Sequence, residues 1–112
     1  MKKILMLFVL MMFSECSYAL ATGNDLAKWM VEYEKSNNDN TKDIYLEGIY
    51  SGYLMGIADT TNSISWCTPY NVKTGQLFKI VSKYLHNNPE KLHLYADDLV
   101  KQALKEAFPC KK

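Results

Sequence analysis

The sequence contains no arginine: its 13 basic residues are all lysine, set against 12 acidic residues. Arginine is the side chain that most often reads phosphates and base edges through paired hydrogen bonds. A near-neutral chain without arginine lacks the positive surface that nucleic-acid binding requires. The composition therefore argues against nucleic acid as a partner.

Histidine is scarce as well, and the two that occur, His86 and His93, lie seven positions apart on either side of a proline. Two metal-binding histidines on one helix face lie four apart, so this pair predicts no zinc site. A glycine-rich turn between a strand and a helix, which would hold a phosphate, is also missing. The sequence therefore predicts no catalytic residue, no metal site and no cofactor.

Long hydrophobic runs are absent, since the longest, residues 4–13, has ten members, whereas a membrane-spanning helix needs about 20. Lys2 and Lys3 precede this run, and small and polar residues follow it. That layout is typical of a secretory signal peptide, with a buried N-terminal helix as the alternative. Cleavage after Ala19 or after Ala21 satisfies the small-residue rule, and we favour Ala21.

Cleavage after Ala21 divides the chain into a signal peptide, residues 1–21, and a single domain, residues 22–112. Loss of Lys2, Lys3 and Glu15 leaves 11 basic and 11 acidic residues in the mature domain. We expect this domain outside the cytoplasm, with no membrane contact after cleavage. A domain of 91 residues buries a modest core and often needs a covalent staple.

Three cysteines become two when Cys16 leaves with the signal peptide, and the remaining pair is Cys67 and Cys110. An oxidising compartment favours a disulfide between them. The bond would close a loop of about 44 residues, worth on the order of 4 kcal/mol through loss of chain entropy. The alternative is a catalytic thiol assisted by His86 or His93, which requires both thiols to stay reduced outside the cytoplasm.

Apolar residues recur at helical spacing in four segments, and no stretch alternates long enough to predict a strand. The first helix runs from residue 24 to about 35, the second from 43 to about 63, and the fourth from about 95 to 108. The third follows an N-cap at Thr74 and ends before Pro89, which disfavours helical geometry. The predicted fold is all-α, a small four-helix bundle-like domain with one disulfide.

Gly48, Gly52 and Gly56 fall four apart in the second helix, so they share one face. Each glycine inside a helix costs about 1 kcal/mol relative to alanine. Three on one face indicate a groove for helix packing. We weigh close packing within the monomer, which we favour, against a contact between two helices of a dimer.

Several separated stretches carry a resemblance to the Rap/Tai family of immunity proteins. They extend over nearly the whole mature chain, and their order and spacing are more specific than any one of them. The stretches are residues 23–26, 52–59, 72–77, 81–85, 88–90, 93–94 and 103–110.

The resemblance implies a small, exported, helical protein of the periplasm. Characterised members of that family bind peptidoglycan amidase effectors delivered by type VI secretion systems and block them, and the better known ones act as homodimers. Relatives often carry an extra cysteine pair near Met30 and Ser51, and a proline at Tyr95. This chain has neither, so Cys67–Cys110 is expected to be its one disulfide.

We therefore predict an immunity protein rather than an enzyme, bound to an amidase effector. Two polar connections, residues 36–42 and 65–71, are candidates for a loop that enters the effector's cleft, and the sequence does not choose between them. Some of Tyr45, Tyr50 and Tyr70 are expected to face a partner, because tyrosine is enriched at protein interfaces. The alternative function is a periplasmic stress chaperone or a binding module with no amidase partner.

Overall fold

A computed structural model of the chain describes residues 2–4, 6 and 20–111. Most of the predicted signal peptide, including Cys16 and Ala19, lies outside these residues. None of the helices in the described part of the chain is long and apolar enough to cross a membrane. The division of the chain at residue 21 remains a prediction.

The described domain consists of four α-helices and one short 3-10 helix. Helix α1 is Gly23–Glu34, α2 is Ile44–Thr61, α3 is Thr74–Asn87, the 3-10 helix is Pro89–Lys91, and α4 is Ala96–Ala107. The all-α prediction is confirmed. Thr74, expected to precede the third helix as its cap, is the first residue of that helix.

Hydrogen bonds from the neighbouring sequence explain where the first two long helices begin. The backbone N–H of Thr22 donates to the carboxylate of Asp25 at 2.9 Å, just before α1. The carboxylate of Asp43 accepts from the N–H groups of Tyr45 at 3.0 Å and Leu46 at 3.2 Å. These bonds satisfy polar groups at each helix start that have no partner within the helix.

The core forms where α4 lies against the other three helices. Helices α1 and α2 run antiparallel, with the ring centroids of Trp29 and Tyr53 5.7 Å apart and those of Tyr33 and Tyr50 4.9 Å apart. The buried residues of α4 recur every three or four positions, as expected for one inward stripe. They are Ala96, Leu99, Val100, Ala103 and Leu104.

Tyr50 is a core residue, which leaves Tyr45 and Tyr70 as the exposed members of the three tyrosines of which some were expected to face a partner. Its hydroxyl donates to the carbonyl oxygen of Phe78 at 2.9 Å and lies 2.9 Å from the hydroxyl of Ser82. Burial raises the pKa of the Tyr50 hydroxyl well above its ordinary value. The side chain thus fastens α2 to α3 through a satisfied buried polar pair.

The Cys67–Cys110 disulfide is present, with the two Cα atoms 4.8 Å apart. It joins the connection between α2 and α3 to the segment that follows α4. The backbone N–H of Cys67 also donates to the carbonyl oxygen of Phe108 at 2.9 Å. The predicted disulfide is confirmed, and neither cysteine is a free thiol.

The segment before α1 pairs with the segment before α4. The carbonyl oxygen of Ala21 accepts from the N–H of Ala96 at 2.9 Å, and the N–H of Gly23 donates to the carbonyl oxygen of Leu94 at 2.8 Å. Ala21 is half-buried against the core. The beginning of the domain is therefore held by α4 and not only by α1.

Candidate partner-binding surfaces

His86 and the paired aspartates Asp97 and Asp98 have structural partners. The imidazole Nε2 of His86 lies 2.9 Å from a carboxylate oxygen of Glu34, which links the ends of α1 and α3. The ammonium nitrogen of Lys101 lies 3.4 Å from a carboxylate oxygen of Asp97 and 3.0 Å from one of Asp98. Both aspartates lie in the first turn of α4. In the part of the chain that the structure describes, no group of three or more acidic, histidine or cysteine side chains could hold a metal ion.

The first candidate loop, residues 36–42, folds on itself through polar contacts. The carboxylate of Asp39 accepts from the N–H of Thr41 at 2.8 Å and from its hydroxyl at 2.6 Å. These hydrogen bonds lower the pKa of the Asp39 carboxyl. The ammonium nitrogen of Lys42 lies 2.9 Å from a carboxylate oxygen of Glu47. All seven residues of this loop are polar, so it offers hydrogen bonds but no apolar anchor.

The second candidate loop lies within a longer connection, residues 62–73, which we name the disulfide loop. Its centre is fixed by Trp66, whose side chain is 2% exposed and whose indole N–H donates to the hydroxyl of Thr61 at 3.1 Å. The side-chain oxygen of Asn62 accepts from the N–H of Thr68 at 3.0 Å. Together with the bond at Cys67, these contacts tie the loop to α2 and to the segment after α4.

Two large side chains project from the disulfide loop: Ile64 is 79% exposed and Tyr70 is 93% exposed. Beside each lies a non-glycine residue in the left-handed backbone region, Ser63 and Asn71, both with φ of 68°. A non-glycine residue in this backbone conformation destabilises the fold by about 1–3 kcal/mol, and the conformation persists only where the surrounding structure fixes it. The sequence predicted a polar connection at residues 65–71, and the structure shows a loop fixed by the buried Trp66 with Ile64 and Tyr70 exposed on either side.

Gly48, Gly52 and Gly56 all lie on an exposed face of α2. A Cβ atom built on any of the three meets nothing within 4 Å among the described residues. Close packing within the monomer is therefore not what these glycines do in the described domain. Three large exposed side chains share the same third of the helix circumference, and with the glycines they form what we name the glycine face. They are Ile44, Tyr45 and Met55.

The glycine spacing predicted a helix-packing face on α2, but the favoured interpretation placed that face inside the monomer. Tyr70 was among the tyrosines of which some were expected to face a partner, and it is exposed. Ile64 was not identified as exposed, because an isoleucine in a connection between helices can equally well be a buried core residue. The only sequence signal available was its place between α2 and a cysteine with a predicted partner.

These features define a small, disulfide-closed, all-α domain that displays large apolar side chains on a loop and on a helix face, outside any enclosed cavity. Residues 22–110 match the family model described as Rap1a immunity proteins, and the chain belongs to that family. Membership implies that the protein binds a secreted effector. Among curated proteins, no significant match is found.

Proposed function

We propose that this protein is a periplasmic immunity protein that binds and inhibits a peptidoglycan amidase delivered by a type VI secretion system. The observation that carries the proposal is the match to the Rap1a immunity family over residues 22–110, which spans every α-helix from α1 to α4. The resemblance to amidase-binding members supplies the class of effector. The chain would then inhibit the effector by covering its active-site cleft, which requires no covalent chemistry.

The surface chemistry of the domain supports a binding role. Exposed side chains such as Ile64, Tyr70 and Tyr45 cluster on the disulfide loop and the glycine face, and exposed apolar patches on soluble domains mark interaction sites. Aromatic anchors supply much of the energy at protein interfaces. Two such surfaces allow the chain to contact a second copy and an effector together.

Export requires that the signal peptide leave without disturbing the fold. The contacts of Ala21 support cleavage after Ala19, because cleavage after Ala21 would remove the carbonyl that accepts from Ala96. The earlier site keeps this hydrogen bond. The mass of the mature N-terminal peptide distinguishes the two sites, and a chain that begins at Thr22 would contradict cleavage after Ala19.

The glycine face suits a homodimer with two-fold symmetry, in which residue i of one copy meets residue j of the other and the reverse. If two α2 helices cross antiparallel at Gly52, Gly48 of each copy lies opposite Gly56 of the other. The same arrangement brings the hydroxyl of Tyr45 opposite the carboxylate of Asp59. The surface is therefore complementary to itself, and the glycines let the two backbones approach closely.

Gly52→Leu is expected to abolish this dimer while leaving the monomer folded. A Cβ atom at position 52 meets nothing within 4 Å among the described residues, so a leucine there would project from the glycine face and obstruct a second helix. The substitution also improves helix propensity by about 0.8 kcal/mol. Analytical ultracentrifugation gives the mass in solution, and a thermal melt checks the fold. Lys79→Leu, which adds a leucine to an exposed site on α3, is the matched control and is expected to remain dimeric. A Gly52→Leu protein as dimeric as the unaltered one would rule out the glycine face.

Calorimetric titration of a candidate amidase with the mature, oxidised protein tests the proposed function. We expect one amidase to bind each copy of this chain with a dissociation constant near or below 10⁻⁹ M, in the range of tight protein–inhibitor pairs (about −12 kcal/mol). An amidase that forms no complex at micromolar concentration is removed as the partner.

A further inference from the structure

The disulfide loop combines exposed apolar tips with a covalent anchor that can be opened. Cys67 is half-buried, Cys110 is exposed, and both line one surface pocket, which places the bond near the protein surface. We propose that this loop is the surface that contacts the effector, and that it is competent to bind only while Cys67 and Cys110 are joined. The proposal rests on the proposed function and adds to it the binding surface and its regulation.

The disulfide holds the loop near its centre, between the two exposed tips in sequence. It links Cys67, one residue after the buried Trp66, to the segment after α4 that also supplies the carbonyl partner of the Cys67 N–H. The rings of Trp66 and Phe108 lie 6.3 Å apart in the same contact. Opening the bond leaves these weaker contacts as the attachment of the segment after α4 to the loop.

Order in the loop matters because binding is tighter when a surface is already in its bound shape. Ser63 and Asn71 hold left-handed backbone conformations next to the two exposed tips. A loop freed from the segment after α4 can relax at both residues, and Ile64 and Tyr70 then lose their fixed separation. An effector must in that case order the loop as it binds, which weakens the complex.

The partner that this surface fits is a protein with an apolar depression bordered by carboxylates. Ile64 lines one side of a groove of about 710 Å³. The groove is also lined by Lys101, Lys105, Lys111 and Asp98, and Lys101 is paired with both Asp97 and Asp98, so three lysines face two carboxylates. The groove is therefore net positive beside an apolar tip, and complementary charge guides association of protein partners.

The chemistry of the switch is an ordinary thiol–disulfide exchange. A dithiol reductant gives up two electrons and two protons, the bond between the two sulfur atoms breaks, two cysteine thiols form, and the reductant becomes a disulfide. A disulfide oxidant reverses each step. Because the cytoplasm keeps thiols reduced and the periplasm oxidises them, the chain would bind its effector only after export.

The experiment compares the affinity of five samples for the amidase. These are the oxidised protein, the protein reduced with a dithiol, C67S/C110S, I64A/Y70A and V31A. V31A is the control, because Val31 is a half-exposed apolar residue on α1, outside both named surfaces. Circular dichroism of each sample reports whether the helices remain.

We expect the reduced protein and C67S/C110S to keep their helices and to bind at least about tenfold more weakly, since the loop must be ordered on binding. I64A/Y70A is expected to bind the amidase at least about thirtyfold more weakly, because it lacks the two proposed interface anchors. V31A is expected to bind with the affinity of the oxidised protein. Unchanged binding by I64A/Y70A overturns the proposed surface. Unchanged binding by both disulfide-free samples overturns the switch.

Hydrogen exchange separates this proposal from the proposed function. The N–H groups of Ser63, Cys67 and Thr68 are bonded within the loop or to the segment after α4, and we expect reduction to speed their exchange. If the oxidised protein binds no amidase, the proposed function fails, and exchange still tests whether the bond orders the loop. Equal exchange in both redox states overturns the switch whether or not the effector is known, and it also decides the case if C67S/C110S does not fold.

Discussion

Trp66→Ala is expected to lower the free energy of unfolding of the oxidised domain by about 3–5 kcal/mol, the usual range for a buried tryptophan. Trp66 is among the largest fully buried side chains of the described domain. Its removal opens a cavity beside Phe108 and takes the indole donor away from the hydroxyl of Thr61. The alanine leaves the disulfide in place, so the loop stays attached but loses its packed centre.

Urea denaturation of the oxidised protein measures this loss. Tyr70→Ala is the matched control, because it removes an aromatic side chain from the same loop at a site that is almost wholly exposed. It is expected to change stability by no more than about 0.5 kcal/mol. Equal stability of the two variants would contradict the role of Trp66 as the anchor of the loop.

Gly23→Ala is expected to destabilise the domain by about 3 kcal/mol, at the upper end of the usual effect of overpacking. A Cβ atom at Gly23 would lie 2.5 Å from the side chain of Leu99 and 2.7 Å from the Cα and carbonyl oxygen of Leu92. Leu99 can adjust only slightly inside the core, and the Leu92 contacts involve backbone. The start of α1 would have to move away from α4, which stretches the hydrogen bond from Gly23 to Leu94.

Gly75→Ala provides the control for Gly23→Ala. Gly75 lies in the first turn of α3, where an added Cβ meets nothing within 4 Å among the described residues. The substitution is expected to be neutral or to stabilise by up to about 1 kcal/mol through helix propensity. Thermal unfolding of the pair distinguishes a steric requirement for glycine from a general effect of alanine. A Gly23→Ala protein as stable as Gly75→Ala would show that the packing between α1 and α4 tolerates a methyl group.

The helices could be predicted from sequence because their buried residues recur every three or four positions. Leu99, Val100, Ala103 and Leu104 repeat at helical spacing, and their pattern indicates a helix without knowledge of what they contact. The disulfide followed from the cysteine count once Cys16 was assigned to the signal peptide. Both inferences use local order or simple arithmetic, which a single sequence contains.

The surfaces could be predicted only in part, because exposure depends on contacts between distant residues. Helix α2 is apolar on most of its circumference, so its sequence does not reveal which side faces the core, and the spacing of Gly48, Gly52 and Gly56 is the same for an inner or an outer groove. Gly23 looks like an ordinary helix start until Leu92 and Leu99 are placed beside it. Ile64 becomes exposed because Trp66 takes the buried place in the disulfide loop.

Inhibition of the effector in a peptidoglycan hydrolysis assay tests the proposed immunity function most directly. Purified amidase is titrated with the mature, oxidised protein, and the release of cleaved wall peptides is followed. We predict that activity falls linearly and is abolished near one equivalent of chain per amidase, because binding at nanomolar strength is stoichiometric at micromolar concentrations. Full amidase activity in the presence of a large excess of the protein, for every amidase secreted against cells that carry it, would contradict the immunity function.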